Sequence, residues 1–351
     1  MTPSFDADEH GGHTVRTRPT RRGSRPRTTQ RPEHDDARPA LVIGVDRGRY
    51  SLLVAADTAE ETAVIAMKAR ELGRERVVCG DIVEVVGDTT GLAGSLARIV
   101  RITERRTVLR RTADDTDPVE RVIVANADQL VVVTALADPE PRTRMIDRCV
   151  VAAFDAGMDI LLCLTKSDLA SPDVLVGMYE PLGVTIVVTS QGADGTPHHN
   201  LEEVRSHLVG RTSVLVGHSG VGKSTLVNAL VPDALRAVGV VNDVTGRGRH
   251  TSSSAVALRL PGRAGWVVDT PGVRSFGLAH VDPMTVLGAF DDLAEVAEER
   301  CPRGCTHLPG AAECALDAWV AQAPEGEQAA HAQRVDSLRR LLTARAAPEG
   351  R

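Results

Sequence analysis

The sequence predicts a multidomain protein with three folded parts in order. These are an N-terminal β-barrel of the OB-fold type, a central α/β domain with a mostly parallel sheet, and an α-helical C-terminal domain. Three observations predict them: short β-type runs come first, long alternation of strand and helix patterns follows, and helical segments surround "CPRGCTHLPGAAEC". A length of 351 residues suits two or three domains. The predicted parts are a disordered basic arm at 1–39, the barrel at 40–111, a linker at 112–120, the α/β domain at 121–281 and the helical domain at 282–351.

Composition and charge exclude several classes of protein. A net charge of -6 and a pI near 6.0 leave no overall basic field of the kind a nucleic-acid coat carries. The exception is "RTRPTRRGSRPRTTQR", which has seven arginines and no acid and predicts the disordered arm. No apolar run approaches the ~18 residues that span a bilayer, and the start lacks the apolar stretch of a signal peptide. We therefore expect a cytoplasmic monomer with no membrane contact.

Five β-type runs predict the barrel: "ALVIGVDRGRYSLLVAA", "TAVIAMKAR", "RVVCGDIVEVVG", "GSLARIVRI" and "RRTVLRR". Only Tyr50 is aromatic in this stretch, so stacking on unpaired bases is not the expected mode of binding. Phosphate contact with structured RNA is suggested instead, and a solvated basic face is the alternative. The arginines behind this suggestion are Arg105, Arg106, Arg110 and Arg111.

A phosphate-binding loop is predicted where "SVLV", a strand, meets "STLVNAL", a helix. The intervening residues satisfy the pattern G-x-x-x-x-G-K-[ST], whose backbone N–H groups surround nucleotide phosphates at a helix N-terminus. Lys223 is expected to reach the β and γ phosphates, and the Ser224 hydroxyl to ligate Mg²⁺. The predicted nucleotide-contacting residues of this loop are Gly217, His218, Ser219, Gly220, Val221, Gly222, Lys223, Ser224 and Thr225.

Two further segments are expected to respond to the γ-phosphate. In "DTPG", Asp269 would hold Mg²⁺ through water and the Gly272 amide would sense the phosphate. In "GRGRHTSSS", Thr251 is the expected switch threonine that closes on Mg²⁺. Val273 stands where many GTPases carry a water-orienting glutamine. We therefore hypothesise that His250 positions the attacking water on a partner surface; a histidine that only binds the backbone is the alternative. The predicted catalytic residues are Lys223, His250, Thr251 and Gly272.

A guanine-reading loop is predicted directly after the strand "ILLCL". "TKSD" fits [NT]-K-x-D, in which the aspartate accepts hydrogen bonds from guanine N1–H and N2–H₂ and the lysine stem covers the base. Further on, "VTIVVTS" would place a short buttress against the guanine carbonyl. The predicted base-binding residues are Thr165, Lys166, Ser167, Asp168, Thr189 and Ser190.

The base reader precedes the phosphate loop in the chain, which reverses the usual order. All these segments follow apolar strands, and an open parallel sheet binds ligands at the carboxyl ends of its strands. If the two ends of such a domain are adjacent, joining them and opening the chain at another point keeps the site intact. The sequence predicts a circularly permuted GTPase domain that binds GTP and Mg²⁺.

The cysteines divide into two groups. Cys79, Cys149 and Cys163 lie singly in apolar runs and are expected to be buried thiols. Three cysteines and a histidine on a Gly- and Pro-rich loop suit one closed, structural Zn²⁺ site per chain, and unligated cysteines are the alternative. The expected ligands are Cys301, Cys305, His307 and Cys314. After them, "HAQRVDSLRRLLTARAA" predicts an exposed amphipathic helix.

With these motifs in hand, the chain resembles the ribosome small subunit-dependent GTPase A (RsgA) family. The resemblance covers about residues 40 to 320 and rests on "TKSD", "GHSGVGKSTL", "GRGRHTSS", "DTPGVRSFGL" and "CPRGCTH". It implies a late assembly factor that binds the small ribosomal subunit and its rRNA near the decoding region and hydrolyses GTP when the subunit stimulates it. The family usually has asparagine at the position of Thr165, and its zinc loop is usually C-x₄-C-x-H-x₅-C where this chain has C-x₃-C-x-H-x₆-C.

Three alternatives stay open from sequence. A P-loop kinase or ATPase is disfavoured by Asp168. A permuted GTPase that acts on the large subunit or another RNA is disfavoured by the leading barrel and trailing zinc loop. A non-catalytic RNA-binding module is disfavoured by the intact Lys223, Ser224, Thr251 and Asp269.

Overall fold

A closed five-stranded barrel forms the N-terminal part of the computed structural model, which describes residues 34–111, 121–190, 199–232, 255–270 and 276–346. The strands pair in the order β1-β2-β3-β5-β4, and β4 closes the barrel on β1. Alternate residues of β1 point inward, as a half-buried strand requires. The strands are β1 (Arg38–Asp46), β2 (Arg49–Val54), β3 (Thr62–Lys68), β4 (Ile82–Gly87) and β5 (Ala97–Ile102). This closed barrel confirms the predicted OB-like fold.

Two of the runs that predicted the barrel differ from expectation. The first run is a hairpin of β1 and β2, with positive φ angles of 43° at Arg47 and 86° at Gly48 in the turn. The last run, "RRTVLRR", lies outside the barrel. It contains β6 (Val108–Arg111), which pairs antiparallel with β7 (Arg121–Ala125). The pairing of β1 with β4 closes the barrel without β6.

Arginines that follow the barrel bind acidic side chains. The buried carboxylate of Asp81 accepts hydrogen bonds from Arg105 Nε at 2.7 Å and Nη2 at 2.9 Å. Because a buried carboxylate is costly without its partner, Arg105 has a structural role, which differs from the phosphate contact that the sequence suggested. Arg106 Nη2 likewise lies 2.7 Å from Asp128 Oδ1, although its side chain stays largely exposed. Phosphate contact stays a prediction for Arg106, Arg110 and Arg111.

The central sheet is mostly parallel, as predicted. Its order is β10-β9-β8-β11-β13-β12, in which β12 alone is antiparallel to its neighbour β13. All seven residues of β8 are buried, as expected of a parallel strand covered on both faces. The strands are β8 (Gln129–Ala135), β9 (Asp159–Thr165), β10 (Thr185–Val188), β11 (Thr212–Gly217), β12 (Val256–Arg259) and β13 (Trp266–Asp269). The carboxyl ends of the parallel strands meet at one edge of the sheet.

The barrel and the central sheet are joined into one eleven-stranded sheet by the pairing of β1 with β12. An arginine reinforces this joint. Arg259 donates from Nη1 and Nη2 to the two carboxylate oxygens of Glu61, the residue just before β3, at 2.8 and 2.5 Å. Its guanidinium also lies 3.1 Å from Asp57 and 4.4 Å from the centre of the Trp266 ring. A bidentate pair of this kind fixes the geometry of the joint as well as contributing energy.

This joint is expected to weaken in acid. The hydrogen bond from Arg259 lowers the pKa of Glu61, so the pair stabilises the fold above the unfolded-state pKa of about 4.3. Its contribution is lost as the pH falls through the lower, folded-state pKa. Glu61→Gln should therefore lower the Tm at pH 7, and the difference from the parent should shrink as the pH falls below about 4.3. Glu60→Gln makes the same charge change at an exposed neighbour and should leave the Tm unchanged.

The helices of the described residues surround the central sheet and fill the C-terminal part. α1 (Thr143–Asp155) buries nine residues. None of the described helices combines the length and apolar character that crossing a membrane requires. The others are α2 (Asp173–Tyr179), α3 (Leu201–Leu208), α4 (Lys223–Leu230), α5 (Pro283–Gly288), α6 (Asp291–Arg300), α7 (Ala315–Ala321) and α8 (Gln328–Ala346).

The helix α8 is not the exposed element that the sequence predicted. Its apolar face belongs to the main core, where Val335, Leu338 and Leu341 are at most 2 % exposed. Fully buried Arg148 on α1 donates to the carbonyl oxygen of Ala344 at 3.1 Å. The prediction failed because an amphipathic pattern shows that one face is apolar but not how completely a neighbour covers it.

The three single cysteines are buried, as predicted. Cys79, Cys149 and Cys163 are each at most 1 % exposed. Burial raises the pKa of each thiol to about 12, so the thiolate is scarce at neutral pH. Because the thiolate is the reactive form, these residues act as small apolar side chains.

Candidate functional site

The phosphate-loop pattern connects the end of β11 to the start of α4, as its spacing predicts. Gly217 ends β11 against β8, where a Cβ atom would lie 2.6 Å from the carbonyl oxygen of Val133. Gly220 and Gly222 adopt positive φ angles of 84° and 90°. Such close approach and such angles favour glycine, so the pattern is required by the local backbone.

Two predicted ligands of the phosphates and Mg²⁺ meet beside this loop. The register of the parallel strands β11 and β13 places Leu215 opposite Asp269. From the first residue of α4, Lys223 Nζ donates to Asp269 Oδ1. The next residue, Thr270, is buried and holds the end of β13 by donating to the carbonyl oxygen of Leu215 at 2.8 Å. The structure therefore brings together Lys223 and Asp269, which lie 46 positions apart.

The loop after β9 contacts the phosphate loop through Thr165. Its side chain is 2 % exposed, and Oγ1 donates to the carbonyl oxygen of Val221 at 2.6 Å. Lys166 has a positive φ of 60° and donates from Nζ to the carbonyl oxygen of Asp138. Asp168 is exposed, so its carboxylate is accessible to a ligand. The predicted base reader and the phosphate loop thus form one connected unit.

The predicted buttress lies against the same loop. Ser167 N donates to the carbonyl oxygen of Thr189 at 3.2 Å, and Thr189 N donates to that of Leu164 at 2.7 Å. Thr189 is buried just beyond β10, and Ser190 follows it in a bridge with His199. These bonds tie the ends of β9 and β10 together, so Thr189 and Ser190 are placed to support the base-reading loop.

The remaining predicted contacts differ in accessibility. Val221 and Gly217 are buried, and His218 lies partly buried with Nδ1 3.1 Å from the carbonyl oxygen of Ser219. Gly222 and Lys223 are also partly buried. The exposed residues are Ser219, Gly220, Ser224 and Thr225. The predicted catalytic or switch residues that fall outside the described residues are His250, Thr251 and Gly272.

One segment at this edge was missed from sequence. The loop after β8 supplies the Asp138 carbonyl oxygen that accepts from Lys166, and Pro139 Cδ lies 3.5 Å from where a Cβ of Gly220 would be. Its position in the sequence could have indicated it, because "LADPEP" follows the carboxyl end of a fully buried strand, where a parallel sheet binds ligands. No side-chain chemistry in that loop marks it, since the contact is made by a backbone carbonyl.

The four predicted metal ligands converge in the C-terminal part. Their ligand atoms all lie within 4.8 Å of one another. His307 Nδ1 is 3.7 Å from Cys301 Sγ and 3.9 Å from Cys314 Sγ. A tetrahedral ion with bonds of about 2.3 Å to sulfur and 2.0–2.1 Å to nitrogen needs ligand separations of roughly 3.6 Å. The cluster Cys301, Cys305, His307 and Cys314 therefore fits a metal ion of this geometry.

Comparison with known proteins agrees with this arrangement. The profile of a family described as "RsgA GTPase" matches residues 102–279, which is half of the chain. The chain belongs to the RsgA GTPase family. A relative from Marinobacter nauticus, named small ribosomal subunit biogenesis GTPase RsgA, is 37% identical over 227 residues, which are 63% of this chain and 62% of the relative. A relative of the same name from Pseudomonas fluorescens is 36% identical over 250 residues, 68% of each chain.

Two solved structures share the fold of this RsgA-family chain. The crystal structure of YjeQ from Thermotoga maritima superposes with a TM-score of 0.60 at 25% identity, covering 86% of this chain and 98% of that one. YloQ, described as a circularly permuted GTPase, superposes with a TM-score of 0.59 at 21% identity, covering 87% of this chain and 95% of that one. The chain thus has a YjeQ-like fold, although it spans only 62% of the length of the first curated relatives.

The Thr165 hydroxyl can be tested as the link between the two loops. Thr165→Val keeps the shape of the side chain but leaves the Val221 carbonyl oxygen without its donor, which costs about 1–3 kcal/mol for a buried group. The Kd for a fluorescent GDP analogue should rise roughly 5- to 100-fold. Thr165→Ser keeps the donor and should stay within about 2-fold of the parent. Equal affinities for the valine and serine variants would contradict a role for this bond.

Proposed function

We propose that this chain is a GTPase that binds the small ribosomal subunit, acts in its late assembly, and hydrolyses GTP to GDP and phosphate when the subunit stimulates it. The observation that carries the GTPase assignment is the hydrogen bond between Thr165 and Val221, which joins the guanine-reading pattern to the phosphate loop. The names of the relatives from Marinobacter nauticus and Pseudomonas fluorescens support the choice of the small ribosomal subunit as partner.

The central domain, at residues 121–281, is proposed to be a circularly permuted P-loop GTPase domain. The base-reading loop follows β9, and the phosphate loop follows β11, yet both open at the same edge of the sheet. The fold likeness to YloQ, which is described as a circularly permuted GTPase, supports this assignment. Its neighbours in the proposed organisation are the segment 40–111, which contains the barrel and β6, a linker at 112–120 and the helical domain at 282–351.

The site residues suggest how each part of GTP would be held. Asp168 would accept hydrogen bonds from guanine N1–H and N2–H₂, while the Lys166 stem covers the base. Lys223 would exchange its contact with Asp269 for the β and γ phosphates. Mg²⁺ bound with GTP would neutralise charge on the phosphate oxygens, and Ser224, Thr251 and Asp269 are the proposed residues that hold it. His250 and Gly272 complete the proposed catalytic set.

The metal cluster is proposed to hold one structural Zn²⁺. Three thiolates and an imidazole fill a tetrahedral shell, which leaves no position for water or substrate. Ala315 N donates to Cys301 Sγ at 3.3 Å, so the sulfur already has an outer hydrogen bond. The ion would stabilise the loop between α6 and α7 and take no part in hydrolysis.

A hydrolysis assay tests the function directly. GTP turnover by the purified protein should rise strongly when isolated small ribosomal subunits are added, and an excess of ATP should not compete. Large subunits at the same concentration serve as the matched control and should have no effect. Binding of GTP without stimulation by small subunits would overturn the choice of partner but not the nucleotide site. Competition by ATP would overturn the assignment of guanine. We also propose that the protein acts in the cytoplasm as a monomer. Rescue of a cytoplasmic ribosome-assembly defect by a monomeric form of the protein would support both points.

A further inference from the structure

The helix α8 places one arginine against two residues of the metal cluster. The Arg339 side chain is 12% exposed. Its Nε donates to the carbonyl oxygen of His307 at 3.2 Å, and its Nη2 lies 3.9 Å from Cys314 Sγ. The cluster residues themselves come from the loop between α6 and α7, so Arg339 reaches them from a different element.

An aspartate holds this guanidinium in position. Asp317, in the first turn of α7, accepts from Nη1 of Arg339 at 2.8 Å and from Nη2 at 2.9 Å. Together with the bond to His307, three nitrogens of one planar fork are engaged. A lysine has a single ammonium nitrogen and would not span the same three partners.

The positive charge of the Arg339 guanidinium also affects the net charge around the metal cluster. A divalent ion with three thiolates and one neutral imidazole carries a net charge of about −1. His307 and Cys314 are at most 7 % exposed, and a net charge in such surroundings is costly unless it is compensated. A cation beside Cys314 Sγ offsets that charge, and its N–H group orients the sulfur. Outer-shell partners of this kind commonly change metal affinity by about 10- to 100-fold.

We propose that Arg339 is a positioning residue for the metal centre: its guanidinium holds the His307 carbonyl and the Cys314 sulfur together and offsets the charge of the metal cluster. This inference rests on the proposed binding of Zn²⁺ by the cluster. The helix that carries Arg339 packs into the main core through Leu338 and Leu341.

The adjacent residue supplies a matched control. Arg340 is on the same helix, but it donates from Nε to Asp147 Oδ1 at 3.0 Å and from Nη2 to the carbonyl oxygen of Met178 at 3.0 Å. It therefore fastens α8 to α1 and to the end of α2 through hydrogen bonds that do not involve the metal cluster. Arg340→Gln removes the same charge from α8 and tests its packing alone.

Zinc release measures the proposed role. The full-length proteins are loaded with Zn²⁺, and transfer to a chromophoric chelator is followed in Arg339→Gln, Arg340→Gln and Asp317→Asn. Arg339→Gln should weaken zinc affinity about 10- to 100-fold, whereas Arg340→Gln should stay within about 3-fold. Asp317→Asn keeps Arg339 but weakens the bonds that hold its guanidinium in place, so an intermediate loss of zinc affinity is expected. This variant tests the proposal even if Arg339→Gln folds poorly. In Co²⁺-loaded protein, the thiolate charge-transfer band should shift in Arg339→Gln and not in Arg340→Gln.

Two results would overturn the proposal in distinguishable ways. Equal zinc loss in Arg339→Gln and Arg340→Gln, with an unshifted cobalt spectrum, would show that α8 acts only by packing. Failure of the parent protein to retain either ion would overturn the metal assignment itself, and with it the role of Arg339. Neither result would affect the GTPase proposal, because GTP hydrolysis is measured independently.

Discussion

Lys223→Ala is expected to lower kcat/KM for subunit-stimulated GTP hydrolysis by at least about 100-fold. The side chain begins at the first residue of α4 and already reaches the acceptor at the end of β13, where the phosphates and Mg²⁺ are proposed to lie. Removing one preorganised donor from developing negative charge commonly costs 10²- to 10³-fold in rate. A phosphate-release assay at saturating small subunits measures the loss.

The control for this variant is another lysine. Lys68 donates from Nζ to the carbonyl oxygens of Gly73 at 3.0 Å and Glu75 at 2.7 Å in the barrel, far along the chain from the phosphate loop. Lys68→Ala should hydrolyse GTP at the parent rate. If Lys223→Ala retained half of the parent activity while folding normally, Lys223 would not contact the phosphates.

Asp168→Asn is expected to exchange guanine for xanthine. Guanine offers two donors, N1–H and N2–H₂, which a carboxylate accepts but an amide cannot, because its NH₂ group would face another donor. Loss of a hydrogen bond to a charged group costs about 1.5–3 kcal/mol, so the Kd for GTP should rise by at least about 10-fold. Xanthine replaces N2–H₂ with a carbonyl, which matches the amide, so the variant should prefer xanthosine triphosphate. Competition binding with the two nucleotides measures the exchange.

A nearby acid controls for the loss of charge. Asp173 is exposed at the start of α2, five residues beyond Asp168. Asp173→Asn should keep the parent preference for GTP. A similar preference in both variants would mean that Asp168 does not read the base, and the assignment of guanine would then depend on the other loops alone.

Local patterns predicted the parts of the candidate site that depend on the backbone. Gly217, Gly220 and Gly222 follow from the geometry of a strand-loop-helix turn, which their spacing encodes over six positions. Continuous apolar runs predicted buried parallel strands because such strands are covered on both faces. The spacing of the cysteines and His307 likewise predicted a cluster, since a short loop brings close neighbours within one coordination shell.

Other features depend on which elements pack together. Long charged side chains bind partners that are distant in the sequence. Arg105 pairs with Asp81, where the sequence suggested phosphate contact, and Arg339 reaches Cys314 from α8. No local pattern distinguishes these arginines from solvated ones, because each has the same flexible stem and the same fork of donors.

The sequence by itself determined the barrel, the parallel sheet, the glycine-rich loop after β11 and the Cys/His cluster, because periodicity, turn chemistry and ligand spacing are local properties of the chain. The tertiary structure decided how these parts are connected. It closed the barrel without "RRTVLRR", buried one face of α8, and set the Thr165 hydroxyl against Val221, 56 positions away. These contacts depend on strand order and helix packing, which place residues side by side that no local pattern relates.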